Sequence, residues 1–84
     1  MYYVYVIKSN LKDFMYVGYT SNLVRRLKSH NNGLSRSTKK YAPYILVYYE
    51  AYRSSADARD RERKLKHHGA VIGHLKRRIA RSTQ

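Results

Sequence analysis

The stretch Tyr2-Tyr3-Val4-Tyr5-Val6-Ile7-Lys8-Ser9, with Asn10-Leu11-Lys12-Asp13 and Phe14-Met15-Tyr16-Val17-Gly18-Tyr19 after it, decides the fold. Tyr3, Tyr5 and Ile7 alternate with Tyr2, Val4 and Val6, and β-branched and aromatic side chains dominate, so the first segment reads as a strand. Asn10 to Asp13 supply turn chemistry, and Phe14 to Tyr19 reads as the returning strand of a hairpin. With an even-numbered loop, directly opposed residues have numbers with an odd sum. Tyr5 and Tyr16 then fall on one face, and Gly18 leaves the backbone bare where a substrate approaches closely. An odd loop or a bulge separates the two phenols.

Beyond the hairpin, Thr20-Ser21-Asn22 offers capping side chains for a helix over Leu23 to His30. Asn31-Asn32-Gly33 tolerates the left-handed conformation that ends it. Leu34 to Ala42 is polar and basic and reads as a mobile loop, and Tyr44 to Tyr49, after Pro43, reads as a buried strand. Ser54-Ser55-Ala56-Asp57 resembles a capping box that opens a second helix over Ala56 to His68, ended or bent by Gly69. Val71, Ile72, Leu75 and Ile79 recur at helical spacing and give a third helix with a basic outer face. The order β-β-α-β-α-α predicts one α+β domain over residues 1–84, with helices packed on a small, mainly antiparallel three-stranded sheet.

A chain of 84 residues builds only a thin core. No cysteine is present, which removes disulfides and Cys-based zinc sites. Eighteen Lys and Arg against five Asp and Glu give a formal charge of +13. A field of that size attracts polyanions, and nucleic acid is the expected partner. The longest nearly apolar stretch, Tyr41 to Tyr49, is far short of a membrane span. Met1-Tyr2-Tyr3-Val4 enters the first strand without the layout of a signal peptide, so the expected location is the cytoplasm.

Two helices carry polar groups on their apolar faces. Ala58, Glu62 and Leu65 share one face of the second helix, while Arg59, Asp60, Arg61, Arg63 and Lys64 flank it. A buried carboxylate needs a cation or a metal, so Glu62 is either an internal ion-pair partner or a metal ligand or general base. On the first helix Leu23, Arg26, Leu27 and His30 share a face, which places Arg26 and His30 at the edge of the apolar contact. Arginine there clamps a phosphate at two points, and histidine shuttles a proton near neutral pH; a structural role for either is the alternative. His67, His68 and His74 lack the spacing and acid partners of a zinc site and read as helix C-terminal dipole partners.

Tyr3-Val4-Tyr5 followed by Tyr16-Val17-Gly18 resembles the two-part motif of the GIY-YIG nucleases, with Tyr3 standing where the first glycine belongs. Thr20, Asn22-Leu23, Arg26, His30 and Glu62, in Ala58-x-x-x-Glu62-x-x-Leu65-Lys66, follow in the family's order, and the short stand-alone members are the most similar. The resemblance implies a metal-dependent endonuclease with one divalent cation, Mg²⁺ or Mn²⁺, at Glu62. Tyr5 and Tyr16 would flank the attacking water, with Tyr5 the favoured base, its phenol acidified by Arg26 and the metal. Arg26 would bind the phosphate and His30 would assist proton transfer. The chain departs from the pattern at Tyr19, where many members have lysine, and in lacking any asparagine after Asn32, for which His74 is a candidate substitute. Asp57 and Asp60 point away from Glu62, which disfavours a two-metal site.

The expected substrate is DNA before RNA, cut with little sequence preference. Arg25 and Lys28, the loop Arg36, Lys39 and Lys40, and the outer face Lys76, Arg77 and Arg81 are the candidates for tracking its backbone. The rival readings are a non-catalytic nucleic-acid-binding module and an adaptor that recruits a protein through its third helix.

Overall fold

The computed structural model describes all residues 1–84. Strand β1, Tyr2–Ser9, is central: β2, Met15–Thr20, pairs on one side and β3, Tyr44–Tyr52, on the other, both antiparallel. Flanked on both edges, β1 buries Val4, Tyr5, Val6 and Ile7 in succession, which is why its sequence lacks any polar alternation. Helices α1, Leu23–Asn31, α2, Ser55–His67, and α3, Gly69–Arg78, complete the α+β architecture expected from sequence. No helix is long and apolar enough to cross a membrane.

The sheet separates two apolar clusters. Val4 and Val6 meet Ala58 and Leu65 of α2 and Leu75 and Ile79 of the α3 region on one face. On the other, Tyr5, Ile7 and Tyr44 meet Phe14, Tyr16, Leu23 and Leu27. The β1–β2 register pairs Tyr5 with Gly18 and Ile7 with Tyr16, the odd-sum pairing that brings Tyr5 and Tyr16 to one face. Between β1 and β3 the register slips: Val6 pairs with Tyr48 but Ile7 with Leu46, leaving Val47 as the extra residue of a bulge. The bulge reverses the facing of everything before it. Tyr48, Glu50 and Tyr52 therefore point to the α2–α3 face, whereas Tyr44 turns to the α1 face.

Caps fix the helix starts. Asn22 Oδ1 accepts from the Arg25 amide at 3.1 Å, and Ser54 Oγ from the Asp57 amide at 3.2 Å. Gly33, at φ +72°, takes the left-handed conformation after α1. Several boundaries differ from the sequence reading. β3 continues to Tyr52, α2 stops at His67 just before Gly69, which opens α3, and Arg81 lies in a 3₁₀ turn, Ala80–Thr83, after α3. The segment 34–42 is not a free loop. It contains a 3₁₀ turn, Lys39–Tyr41, and buries Ser35 and Thr38. Ser9 Oγ donates to the Tyr41 carbonyl at 2.6 Å, and the Asn31 side chain exchanges two hydrogen bonds with the Tyr44 backbone. Those local clips hold the segment down.

Candidate active site

His30 organises the α1 face. It is fully buried in the last turn of α1, where the expected edge position would have left it half in water. Its Nε2 lies 2.7 Å from the Tyr5 hydroxyl and its Nδ1 2.6 Å from Thr38 Oγ1. Burial, reinforced by the Arg26 charge, lowers its pKa to about 4. That leaves the ring neutral at physiological pH, hydrogen-bonded to the Tyr5 hydroxyl.

The remaining hydrogen bonds fix the direction of the chain. Arg26 Nε–H, a donor only, gives to the Tyr5 oxygen at 3.3 Å. The Tyr5 O–H is then free to donate to His30 Nε2, which leaves the single imidazole proton on Nδ1 to donate to Thr38. The Thr38 carbonyl accepts from the Tyr44 hydroxyl at 2.7 Å, so the β3 bulge that turns Tyr44 inward supports the far end of the array.

Tyr5 is 2% exposed, and its pKa is raised. Burial is the largest cause; the hydrogen bond and charge of Arg26 oppose it without overcoming it, and Tyr16 and Glu62 add to the rise. Arg26 alone thus does not acidify the phenol, contrary to the expectation from sequence. Gly18 has a different use from the one its sequence position suggested. A Cβ there would lie 2.2 Å from the Tyr5 hydroxyl oxygen, so the bare backbone is occupied by the Tyr5 ring and not held open for a substrate.

Tyr16 and Glu62 complete the cluster. The Tyr16 ring stands edge-on to His30, centroids 5.3 Å apart. The Lys66 ammonium sits 5.0 Å from the centre of the Tyr16 ring and 3.1 Å from Glu62 Oε2. Lys66 joins α2 to the edge strand β2, and the i, i+4 Glu-to-Lys spacing was its only signal in the sequence. Thr38, deep in a basic segment, gave none.

Of the basic residues expected to meet a polyanion, Arg25 and Arg26 line a 330 Å³ groove with Thr20, Ser21, Asn22 and Ser29. Lys28, Arg36, Lys39 and Lys40 are exposed on α1 and the following segment. Lys76 lines a groove with Phe14 and Met15, whereas Arg77 and His74 line the largest cleft, beside Arg61 and Arg78. The basic residues therefore surround the domain and do not form one stripe. His74, bonded to Arg77 at 2.8 Å, is not brought to the Tyr5 cluster and does not replace a late asparagine there.

No three His, Cys, Asp or Glu side chains come together anywhere in the chain, so no all-protein metal cage exists. A hard cation held by one carboxylate, waters and substrate phosphates needs no such cage. Glu62 fits that donor set. Its Lys66 pair is a partly exposed i, i+4 contact, worth about 0.3–0.5 kcal/mol and readily exchanged. Asp60 is committed to Arg63 and Lys64.

The GIY-YIG catalytic domain matches residues 1–70. Over 67 residues the chain is 39% identical to a UPF0213 protein of Clostridium perfringens, covering 79% of this chain and 71% of that protein. A UPF0213 protein of Staphylococcus haemolyticus is 38% identical over 77% of this chain and 79% of its own length. One from Haloquadratum walsbyi is 32% identical over 77% and 73%. No solved structure matches the chain.

Proposed function

The chain belongs to the GIY-YIG catalytic-domain family, typically endonucleases, and from that premise we propose that it is a metal-dependent endonuclease hydrolysing phosphodiester bonds in nucleic acid, DNA before RNA. The observation that carries the reading is the gathering of Tyr5, Tyr16 and Arg26 from β1, β2 and α1 about one buried histidine, with Glu62 of α2 linked to Tyr16 through Lys66 and its charge felt at Tyr5.

Each residue has work suited to its surroundings. Arg26 is anchored through Nε to Tyr5, its one side-chain hydrogen bond, and it lines the groove, so its unpaired terminal nitrogens would serve as a fork for a phosphate. Tyr5 and Tyr16 flank the attacking water. His30 holds the Tyr5 hydroxyl in one orientation. Glu62 would hold Mg²⁺ or Mn²⁺, which when bound supplies Lewis-acid stabilisation of the phosphate and lowers the pKa of nearby groups. Tyr5 remains the favoured base only with that additional positive charge, because burial otherwise holds its pKa up.

The Glu62–Lys66 ion pair favours a second reading, an idle nuclease fold that binds nucleic acid without cutting it. Purified protein with Mg²⁺ or Mn²⁺, set against Glu62→Gln on single-stranded, duplex, flap and branched DNA, separates the two. Cleavage by wild type alone, with binding kept in both, supports the endonuclease. Binding without cleavage on every substrate supports the idle fold, and equal cleavage by both proteins identifies a contaminant.

A further inference from the structure

Tyr3 stands on the same face of β1 as Tyr5, and Tyr49 of β3 is the direct cross-strand partner of Tyr5. The rings of Tyr3 and Tyr49 meet edge to face, centroids 5.9 Å apart at 66°. Tyr3 is half-buried, but Tyr49 is 52% exposed and Val24 of α1 beside it is 67% exposed, so the Tyr49 ring is open to solvent. With Leu23, Ser21 and Asn22 these residues enclose a groove of 390 Å³, ample for a flat heteroaromatic ring. Ser21 and Asn22 also line the neighbouring 330 Å³ groove that holds Arg25 and Arg26. An aromatic, apolar compartment thus adjoins a cationic one on the catalytic face.

That division matches the two halves of a nucleotide. An anionic backbone is drawn to Arg25 and Arg26, and a base with a free π-face is drawn to exposed tyrosine rings. A base inside a duplex has both faces covered by its neighbours and cannot use the compartment without leaving the stack. We propose that Tyr3 and Tyr49 form a stacking subsite for one unpaired nucleobase next to the phosphate held by Arg26. The inference rests on the nuclease reading for the position of that phosphate, and it narrows the substrate to single strands or strands with a nucleotide turned out of the helix. Tyr3, which stands where the family motif has a glycine, forms one wall of that subsite.

The test is binding, without cleavage, of fluorescein-labelled single-stranded DNA to the Glu62→Gln protein, with an abasic residue moved along the oligonucleotide. At one position the abasic substitution is expected to weaken binding about 5- to 100-fold. Tyr49→Ala should cause a loss of similar size on the intact strand and abolish the abasic penalty, while Tyr49→Trp should restore both. Equal losses on intact and abasic strands, or unchanged binding by both Tyr3→Ala and Tyr49→Ala, overturn the subsite. Because the readout needs no turnover, an abasic penalty dependent on Tyr49, found together with a wild type that cleaves no substrate, would sink the nuclease reading and leave the subsite standing.

Discussion

The two faces of the sheet carry nearly the same set of residues in opposite conditions. On the α2–α3 face Glu50 is bound by Arg61 through Nε and one terminal nitrogen at 3.0 Å each, and by the hydroxyls of Tyr48 and Tyr52. On the α1 face stand Tyr5, Tyr16 and Arg26, and the charge of Glu62 reaches Tyr5 from α2. Burial opposes ionisation of Glu50, but the hydrogen bonds from Arg61, Tyr48 and Tyr52 outweigh it and hold the carboxyl below the usual range. Burial and the Glu50 bond push Tyr52 up to about 12. Glu50 is the more shielded carboxylate of the two, its side chain 16% exposed against 20% for Glu62. Depth and perturbation alone would select the wrong face. A glutamate, two tyrosines and an arginine that exhaust one another's hydrogen bonds make a strut; the same types left with an open carboxylate oxygen and a free guanidinium fork make a site.

The sharpest way to break this contrast is paired neutralisation of the two glutamates. Glu62→Gln is expected to lower the cleavage rate at least 10²-fold and to change unfolding free energy by less than about 1 kcal/mol, since it removes one partly exposed ion pair. Glu50→Gln is expected to do the reverse to stability, lowering it by about 2 kcal/mol, because Arg61 loses its charged partner in a half-buried setting. Urea melts of both variants decide; equal stability losses would erase the distinction between strut and site. Gly18→Ala comes next. Its Cβ collides with a buried, doubly bonded phenol, so we expect about 1–3 kcal/mol of destabilisation and loss of cleavage together. A fully active Gly18→Ala protein would show that the Tyr5 orientation does not matter.

pH probes the two faces through His30. Its folded pKa of about 4 lies below the unfolded value of 6.5, so between them the unfolded chain binds more protons and stability falls as pH drops from about 6.5 to about 4. At 1.36 kcal/mol per pH unit the full effect is about 3 kcal/mol, present in whole above pH 6.5. Denaturation midpoints of wild type and His30→Gln at pH 7.5 and 5 test it: the variant should lack this component. The smallest effect belongs to Lys66→Met, which frees Glu62 of a pair worth a few tenths of a kcal/mol. Titration with Mn²⁺ should tighten by no more than about threefold; a large change in either direction would make Lys66 part of the site proper.

How much of this was legible follows from which interactions are local. The strand alternation of Tyr2 to Ser9 and the loop parity placed Tyr5 and Tyr16 on one face, and the 58–62–65 spacing placed Glu62 against the sheet. The Val47 bulge was invisible, because a single unpaired residue leaves no mark in an apolar run. With it were hidden the inward turn of Tyr44, the burial of Thr38 beneath His30, and the whole Glu50 strut. His30 could be put on the correct helix face but not at the correct depth, since depth depends on what the segment 34–42 does above it.

The sequence by itself determined the element order, the shared face of the two phenols and the place of Glu62 on the apolar face of its helix, because strand and helix periodicity depend only on neighbours along the chain. Tertiary structure alone decided which glutamate is satisfied and which is open, which way Arg26 and His30 grip Tyr5, and that Gly18 makes room for a ring. The grip on Tyr5 turns on hydrogen bonds that span 21 and 25 positions, and the Glu50 strut on an arginine 11 positions away on another element. Such partners are chosen only when strand register and helix packing bring them within about 3 Å of one another.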